Sequence, residues 1–309
     1  MVRRYELKPT AAPAAFVKRL EKELDEQQLA PVTSPAGAAL VIAGAGSGKT
    51  RVVTHRVAYL VEGGIAPENI LLATFTNRAA REMLRRAEAL ASRGLTGLWG
   101  GTFHHIANVI LRRHAGLLGY RNDFTILDRE DAKTVMKSAV AEAEVDTRAR
   151  RFPQPQVLVT IESLRANTET PLKEIVERRY PFFAELIEPV EEVLSLYRLK
   201  KLAQNAMDYD DLLVNWRRVI TEFAEVGDLY RRQFRAILVD EYQDTNKLQA
   251  DIVDELAKGH GHLMVVGDDA QSIYSFRGRT SRTSSSFRNA TRTVGSTSSS
   301  TTTGARPRS

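Results

Sequence analysis

The chain has no cysteine, and this excludes disulfides, thiolate nucleophiles and zinc sites built on thiolates. It also lacks an uninterrupted apolar run of the roughly 18 residues that a membrane span needs, and Met1 to Leu20 contain no apolar signal-peptide core. The expectation is a cytoplasmic chain with no membrane partner. A charge excess is missing from most of the molecule as well. The net charge is +6, but the segment from Arg279 to Ser309 holds six Arg and neither Asp nor Glu. The remainder therefore balances at 38 basic and 38 acidic groups, and global charge carries no argument for nucleic acid. With 309 residues and 43% apolar side chains, there is enough material for one large α/β unit and a second, smaller one.

The apolar pattern alternates between short buried runs and helical spacing. Ala39 to Ala43 reads as a strand, Gly44 to Gly48 as a glycine-rich turn, and Arg51 to Val61 as a helix. Ile70 to Phe75 is a second strand, Asn77 to Leu90 a helix, and a third apolar piece ends at Gly101. From Ile106 to Asn205 only amphipathic helical segments are legible, after which strands return at Ala236 to Val239 and Leu263 to Val266. This alternation predicts an α/β fold with a parallel sheet covered by helices on both faces, interrupted by an all-helical subdomain. Residues 1–23 read as a peripheral extension with a helix in Ala14 to Leu24, on which Phe16, Leu20 and Leu24 share a face.

Ala43-Gly44-Ala45-Gly46-Ser47-Gly48-Lys49-Thr50 has the composition of a phosphate-binding loop between a strand and a helix. Backbone N–H groups and the helix N-terminus cradle phosphates, and glycine permits the close approach that a side chain would block. Lys49 is expected to reach the β and γ phosphates, and Thr50 to offer a hydroxyl to Mg²⁺. Ala43 stands where the commonest form of the loop has glycine. The second half of such a site is acidic and follows another parallel strand. Asp240-Glu241, after Ile237-Leu238-Val239, fits that place. Asp240 is expected to hold Mg²⁺, and Glu241 to orient or deprotonate the attacking water.

A longer run, Asp240-Glu241-Tyr242-Gln243-Asp244-Thr245-Asn246, resembles the acidic box of UvrD/Rep-type superfamily 1 DNA helicases. Other segments agree in order and spacing between residues 24 and 278. Leu24 to Ala30 is similar to the family's adenine-recognising motif, with Gln28 as its glutamine. Thr74 to Met83 and Gly101 to His104 resemble the two DNA-contacting motifs, and Asp208 to Leu213 resembles the return into the ATPase core. Val266 to Gly278 resembles the motif that couples ATP to DNA.

The resemblance implies a RecA-like P-loop NTPase sheet with an inserted helical subdomain: ATPase parts at 24–105 and 206–278, and the insert at 106–205. It implies ATP and Mg²⁺ as cofactors, and Gln271 as sensor of the γ-phosphate. Arg51 becomes a nucleotide contact. For single-stranded DNA it implies stacking faces on Phe75, Phe103, His104, Tyr274 and Phe276, and phosphate contacts from Thr76, Asn77 and Thr102. Taken singly, Phe75 and Phe103 read equally well as core residues, and His104 as a polar residue at a strand end. The implied activity is ATP-driven 3′ to 5′ movement on single-stranded DNA, with unwinding at single-strand/duplex junctions. A helicase fragment of a helicase-nuclease is an alternative.

The family's second RecA-like domain, the natural intramolecular partner, supplies finger arginines and an adenine-stacking tyrosine. It is not recognisable here. Instead, Ser, Thr and Arg make up 23 of the 31 residues from 279 to 309, a composition expected to remain disordered. Re-read one base back, this segment can encode a continuation after Arg277-Gly278 and then a stretch resembling the family's next motif. It therefore reads as a frameshift product, with a natural basic tail as the alternative. On that reading hydrolysis by this chain is crippled, leaving a remnant that binds ATP and single-stranded DNA weakly.

Overall fold

The structure is a computed structural model that describes residues 12–44, 46–143, 145, 152–258 and 262–268, and the backbone of 291–295. The elements in chain order begin with α1 (Ala14–Glu23), α2 (Glu26–Thr33), β1 (Ala38–Ala43), α3 (Lys49–Glu62), β2 (Ile70–Thr74), α4 (Asn77–Leu90) and β3 (Trp99–Thr102). They continue through α5 (Phe103–His114), β4 (Thr125–Ile126), α6 (Arg129–Glu142), α7 (Pro155–Thr168), α8 (Leu172–Arg179), α9 (Ile187–Ala203) and β5 (Ala206–Met207). The chain then returns through α10 (Tyr209–Glu222), α11 (Ala224–Gln233), β6 (Ala236–Val239), α12 (Lys247–Ala257), β7 (Leu263–Gly267) and β8 (Thr291–Gly295).

The large sheet runs β3-β2-β6-β7-β1-β8, and every pairing in it is parallel. Its inner strands β1, β6 and β7 are apolar throughout, and β2 is apolar up to Thr74, because both faces are covered. Successive residues therefore serve opposite cores. Leu71, Ala73, Ile237, Val239, Leu263 and Val265 face one side, packed with residues of α5, α10, α11 and α12. Ile70, Leu72, Ala236, Leu238, Met264 and Val266 face the other, packed with α1, α3 and α4. Because the strands are parallel, the segments following β1, β2, β3, β6 and β7 all emerge at one edge. β1 and β2 are separated by β6 and β7, so the chain crosses over the sheet and leaves a crevice at that edge, where open α/β sheets take their ligands.

Three expectations are corrected by packing. The helical insert does not begin at Ile106: α5 packs against the sheet, with Phe103, Ile106, Ile110 and Leu111 in the same core as Ile237 and Val239. The insert's own core gathers Leu127, Met136, Ile161, Val176, Leu194 and Ala206, so its boundaries are set by contacts that helical periodicity does not reveal. Nor is it purely helical at its neck, where β4 and β5 pair in parallel at Thr125↔Ala206 and Ile126↔Met207. Finally, α1 is no loose extension: Phe16, Leu20 and Leu24 are buried in the core beneath α3.

Within the segment expected to be disordered, Thr291–Gly295 forms β8 beside β1, in the register Val41↔Thr293. A strand edge offers unpaired N–H and C=O groups, and main-chain pairing with it asks little of side-chain composition. The rest of 279–309 lies outside the described residues.

Candidate nucleotide and DNA site

β1 delivers the glycine-rich loop. Gly46 and Gly48 adopt positive φ, 78° and 87°, and Gly48 is the N-cap of α3. Lys49 and Thr50 therefore lie in the first turn of a 14-residue helix whose free N–H groups face the loop. A Cβ on Gly48 would sit 2.6 Å from the side-chain nitrogen of Gln28, the end of a flexible side chain that can shift, so it is the backbone at φ 87° that calls for glycine. Gln28 itself, on α2, donates to the Ser47 carbonyl at 3.1 Å, and the Ser47 hydroxyl closes the loop onto the Gly44 carbonyl at 2.7 Å. The expected adenine-side glutamine thus also braces the phosphate loop. Ala43 ends β1 in a buried position, and Ala45 lies outside the described residues. Arg51 donates to the Glu23 carbonyl at 2.6 Å, which ties α3 to the end of α1.

β6 delivers Asp240 and Glu241. Asp240 is buried, and burial, then the Glu241 charge, push its carboxyl up to about 6. Its Oδ1 is buried without a hydrogen-bond partner among the described residues. An acceptor oxygen left in that state is suited to a cation, so Asp240 fits the expected role, and it and the Thr50 hydroxyl are the groups that would hold Mg²⁺. Glu241 occupies the left-handed region, φ 50°, and turns the chain sharply after the strand. β7 delivers Asp268, whose carboxylate accepts from Lys49 Nζ at 2.8 Å, while Glu241 stands 3.9 Å from the same nitrogen. Gln243 joins the two acidic segments: its side-chain oxygen accepts from the Asp268 N–H at 3.1 Å and its nitrogen donates to Glu241 at 2.6 Å. Sequence reading missed Asp268 and Gln243 as partners because they meet only through the order of β6 and β7.

β2 and β3 deliver the other motifs. The pair Thr74↔Thr102 sets Phe75-Thr76-Asn77 and Phe103-His104 side by side at the same sheet edge. Thr76 and Thr102 are the N-caps of α4 and α5, accepting from Ala79 and His105 N–H groups at 3.1 and 3.2 Å. Phe75 is 45% exposed and presents a free face. Phe103 does not, which corrects its expected role. It is 2% exposed and packs against Trp216 at 6.4 Å between ring centres, since as first residue of α5 it points into the sheet core. His104 is partly buried, with burial lowering its pKa against the opposing charge of Asp210. Its ring meets the edge of Tyr209 at 5.6 Å, and Tyr209 is 56% exposed. Tyr209 was not among the expected contacts, although its signal is legible. Asp208 and Asp211 form a capping box, and this places Tyr209 at the outward first position of α10. Gln271, Tyr274 and Phe276 lie outside the described residues.

No helix among the described residues is long and apolar enough to cross a membrane.

Residues 24–292 match the family model described as the UvrD/REP helicase N-terminal domain. The chain is similar to the ATP-dependent DNA helicase PcrA of Bacillus subtilis, at 40% identity over 256 residues covering 82% of this chain and 34% of that protein. Its likeness to the proteins of the same name from Staphylococcus epidermidis and Staphylococcus aureus is 38% over 260 residues, covering 84% of this chain and 35% of each. The chain thus spans about a third of the length of the relatives it matches. With the family model matching most of its residues, the chain belongs to the UvrD/REP helicase family and carries that family's N-terminal domain.

Proposed function

We propose that this domain binds ATP with Mg²⁺ and single-stranded DNA at the carboxyl edge of its sheet. The observation that carries the reading is the convergence of Lys49, Asp240, Glu241 and Asp268 in the crevice beside β1, with Phe75, His104 and Tyr209 at the same edge. Lys49 would exchange Asp268 for the β and γ phosphates. Mg²⁺, when bound, neutralises charge on the phosphate oxygens. Glu241, whose carboxylate is held by the Gln243 side-chain nitrogen, would orient or deprotonate the water that attacks the γ-phosphate. Exposed aromatic rings stack on bases without reading their sequence, as a motor that moves along any strand requires.

Hydrolysis coupled to 3′ to 5′ movement, unwinding at single-strand/duplex junctions, and cooperation with a second RecA-like domain are proposed for the protein in which this domain works. The test is ATP hydrolysis by the purified chain with and without oligo(dT). Stimulation by the oligonucleotide, lost in Lys49→Ala, supports a motor domain. Retained binding of both ligands without turnover favours the binding remnant, and binding of neither sinks the proposal.

A further inference from the structure

The acidic segment after β6 touches the nucleotide crevice at one end and the helical insert at the other. At its far end Asn246 caps α12: its side-chain oxygen accepts from the Gln249 N–H at 2.8 Å. That leaves its Nδ2 free to donate to Oδ1 of Asn167, in the last turn of α7, at 2.6 Å. Asn167 Nδ2 in turn donates to Asp210 Oδ1 at 2.6 Å and to the Ser163 carbonyl at 2.8 Å. The orientation of the Asn167 amide is dictated, because a flipped amide would set nitrogen against nitrogen at Asn246 and oxygen against carboxylate at Asp210. Asp210 adjoins Tyr209, whose ring edges His104. A second tie lies beside the first. Glu169, held at φ 55° as the C-cap of α7, pairs with Arg217 of α10 and with Lys247 of α12. The end of α7 is thus fastened to the helix that follows the acidic pair and to the helix that begins at Tyr209.

Resting on the function proposed above, we propose that Asn167 is a positioning residue that couples the two ligands. Through it the segment Glu241 to Asn246 reports the state of the nucleotide crevice to Asp210, and so to the Tyr209–His104 pair. The helical insert is then a member of the coupling path and more than a platform. Gln243 makes the nucleotide-side connection to Asp268, Asn246 the insert-side one, and Asn167 is the hinge between them.

Two conservative substitutions cut the relay at different links and keep the local fold. Asn246→Asp retains the oxygen that caps α12 and loses the donor to Asn167. Asn167→Asp retains the acceptor for Asn246 and loses the donor to Asp210. The affinity of the full chain for fluorescein-labelled oligo(dT) is measured by anisotropy, with and without a saturating non-hydrolysable ATP analogue and Mg²⁺. The ratio of the two affinities is the coupling factor. The expected result is a factor of about five or more in the unaltered chain. In both variants it falls to within about twofold of one, while each ligand alone binds within about twofold of the unaltered chain. Circular dichroism and urea unfolding confirm that both variants are folded. A coupling factor unchanged in both variants, or absent from an unaltered chain that binds both ligands, overturns the inference alone. An unaltered chain that binds neither ligand overturns the proposed function and the inference with it.

Discussion

Lys49 Nζ donates to the Asp268 carboxylate at 2.8 Å, so the cation needed for phosphate is already engaged across the crevice. ATP must displace that bond. Asp268→Asn is expected to tighten binding of a fluorescent ATP analogue by about tenfold or more, since a hydrogen bond to a charged group is worth about 1.5–3 kcal/mol. Lys49→Ala is expected to abolish it. Titration of both variants checks this; weaker binding in Asp268→Asn would mean that Asp268 serves the nucleotide rather than competing with it.

Gly48 admits no side chain without cost. Gly48→Ala must accept an L-residue at φ 87° and displace the Gln28 amide, so nucleotide affinity is expected to fall at least tenfold. Gln28→Ala, which clears the space but not the dihedral, should restore little of it in the double variant. Full restoration would place the whole defect in the Gln28 contact.

Phe75 and Phe103 separate by role. Phe103→Ala removes a ring from the core against Trp216 and is expected to destabilise the fold by about 3–5 kcal/mol. Phe75→Ala should leave urea unfolding nearly unchanged and weaken oligo(dT) binding by about 1–3 kcal/mol. The assignment fails if the two effects are reversed.

Arg56 is buried and donates to the carbonyls of Val32 and Ser34 at 2.8 and 2.7 Å, fastening the link from α2 to β1. Burial lowers its pKa to about 10. Arg56→Met leaves both carbonyls without that donor, and a loss of about 1–3 kcal/mol for each is expected in urea unfolding. A variant as stable as the parent would show that other donors replace the guanidinium.

Asp211 shares Lys201 with Asp208, each carboxylate 2.6 Å from Nζ. Burial, then the Asp208 charge, push Asp211 up to about 7 against the pull of Lys201. Between about pH 4 and 7 the folded chain therefore holds a proton that the unfolded chain has released, and stability falls as pH rises through that window. Asp208, lowered, acts below the window, and Lys201, raised, acts above it. Relative to Asp211→Asn, the parent should lose up to about 1.4 kcal/mol per pH unit across it. Parallel stability curves for the two proteins would refute the assignment.

Much of the fold was open to sequence reading because its elements carry strong local signals. Ala236 to Val239 is short and wholly apolar, as a strand buried on both faces must be, and Asn77 to Leu90 keeps an unbroken helical spacing behind a threonine cap. Phe103 shows the limit. An aromatic residue after a strand reads the same whether it stacks on a base or fills a core, and only the position of Trp216 on a distant helix decides between them.

By itself, the sequence determined the glycine loop with Lys49 and Thr50, the acidic pair after a buried strand, and the parallel α/β class. Each of these depends on residues adjacent in the chain, where backbone sterics and period-two burial act directly. The tertiary structure alone decided that Lys49 meets Asp268, 219 residues away, that α5 belongs to the sheet, and that Asn167 stands between Asn246 and Asp210. Those meetings follow from strand order and helix packing, and no local pattern encodes which side chains a crossover brings together.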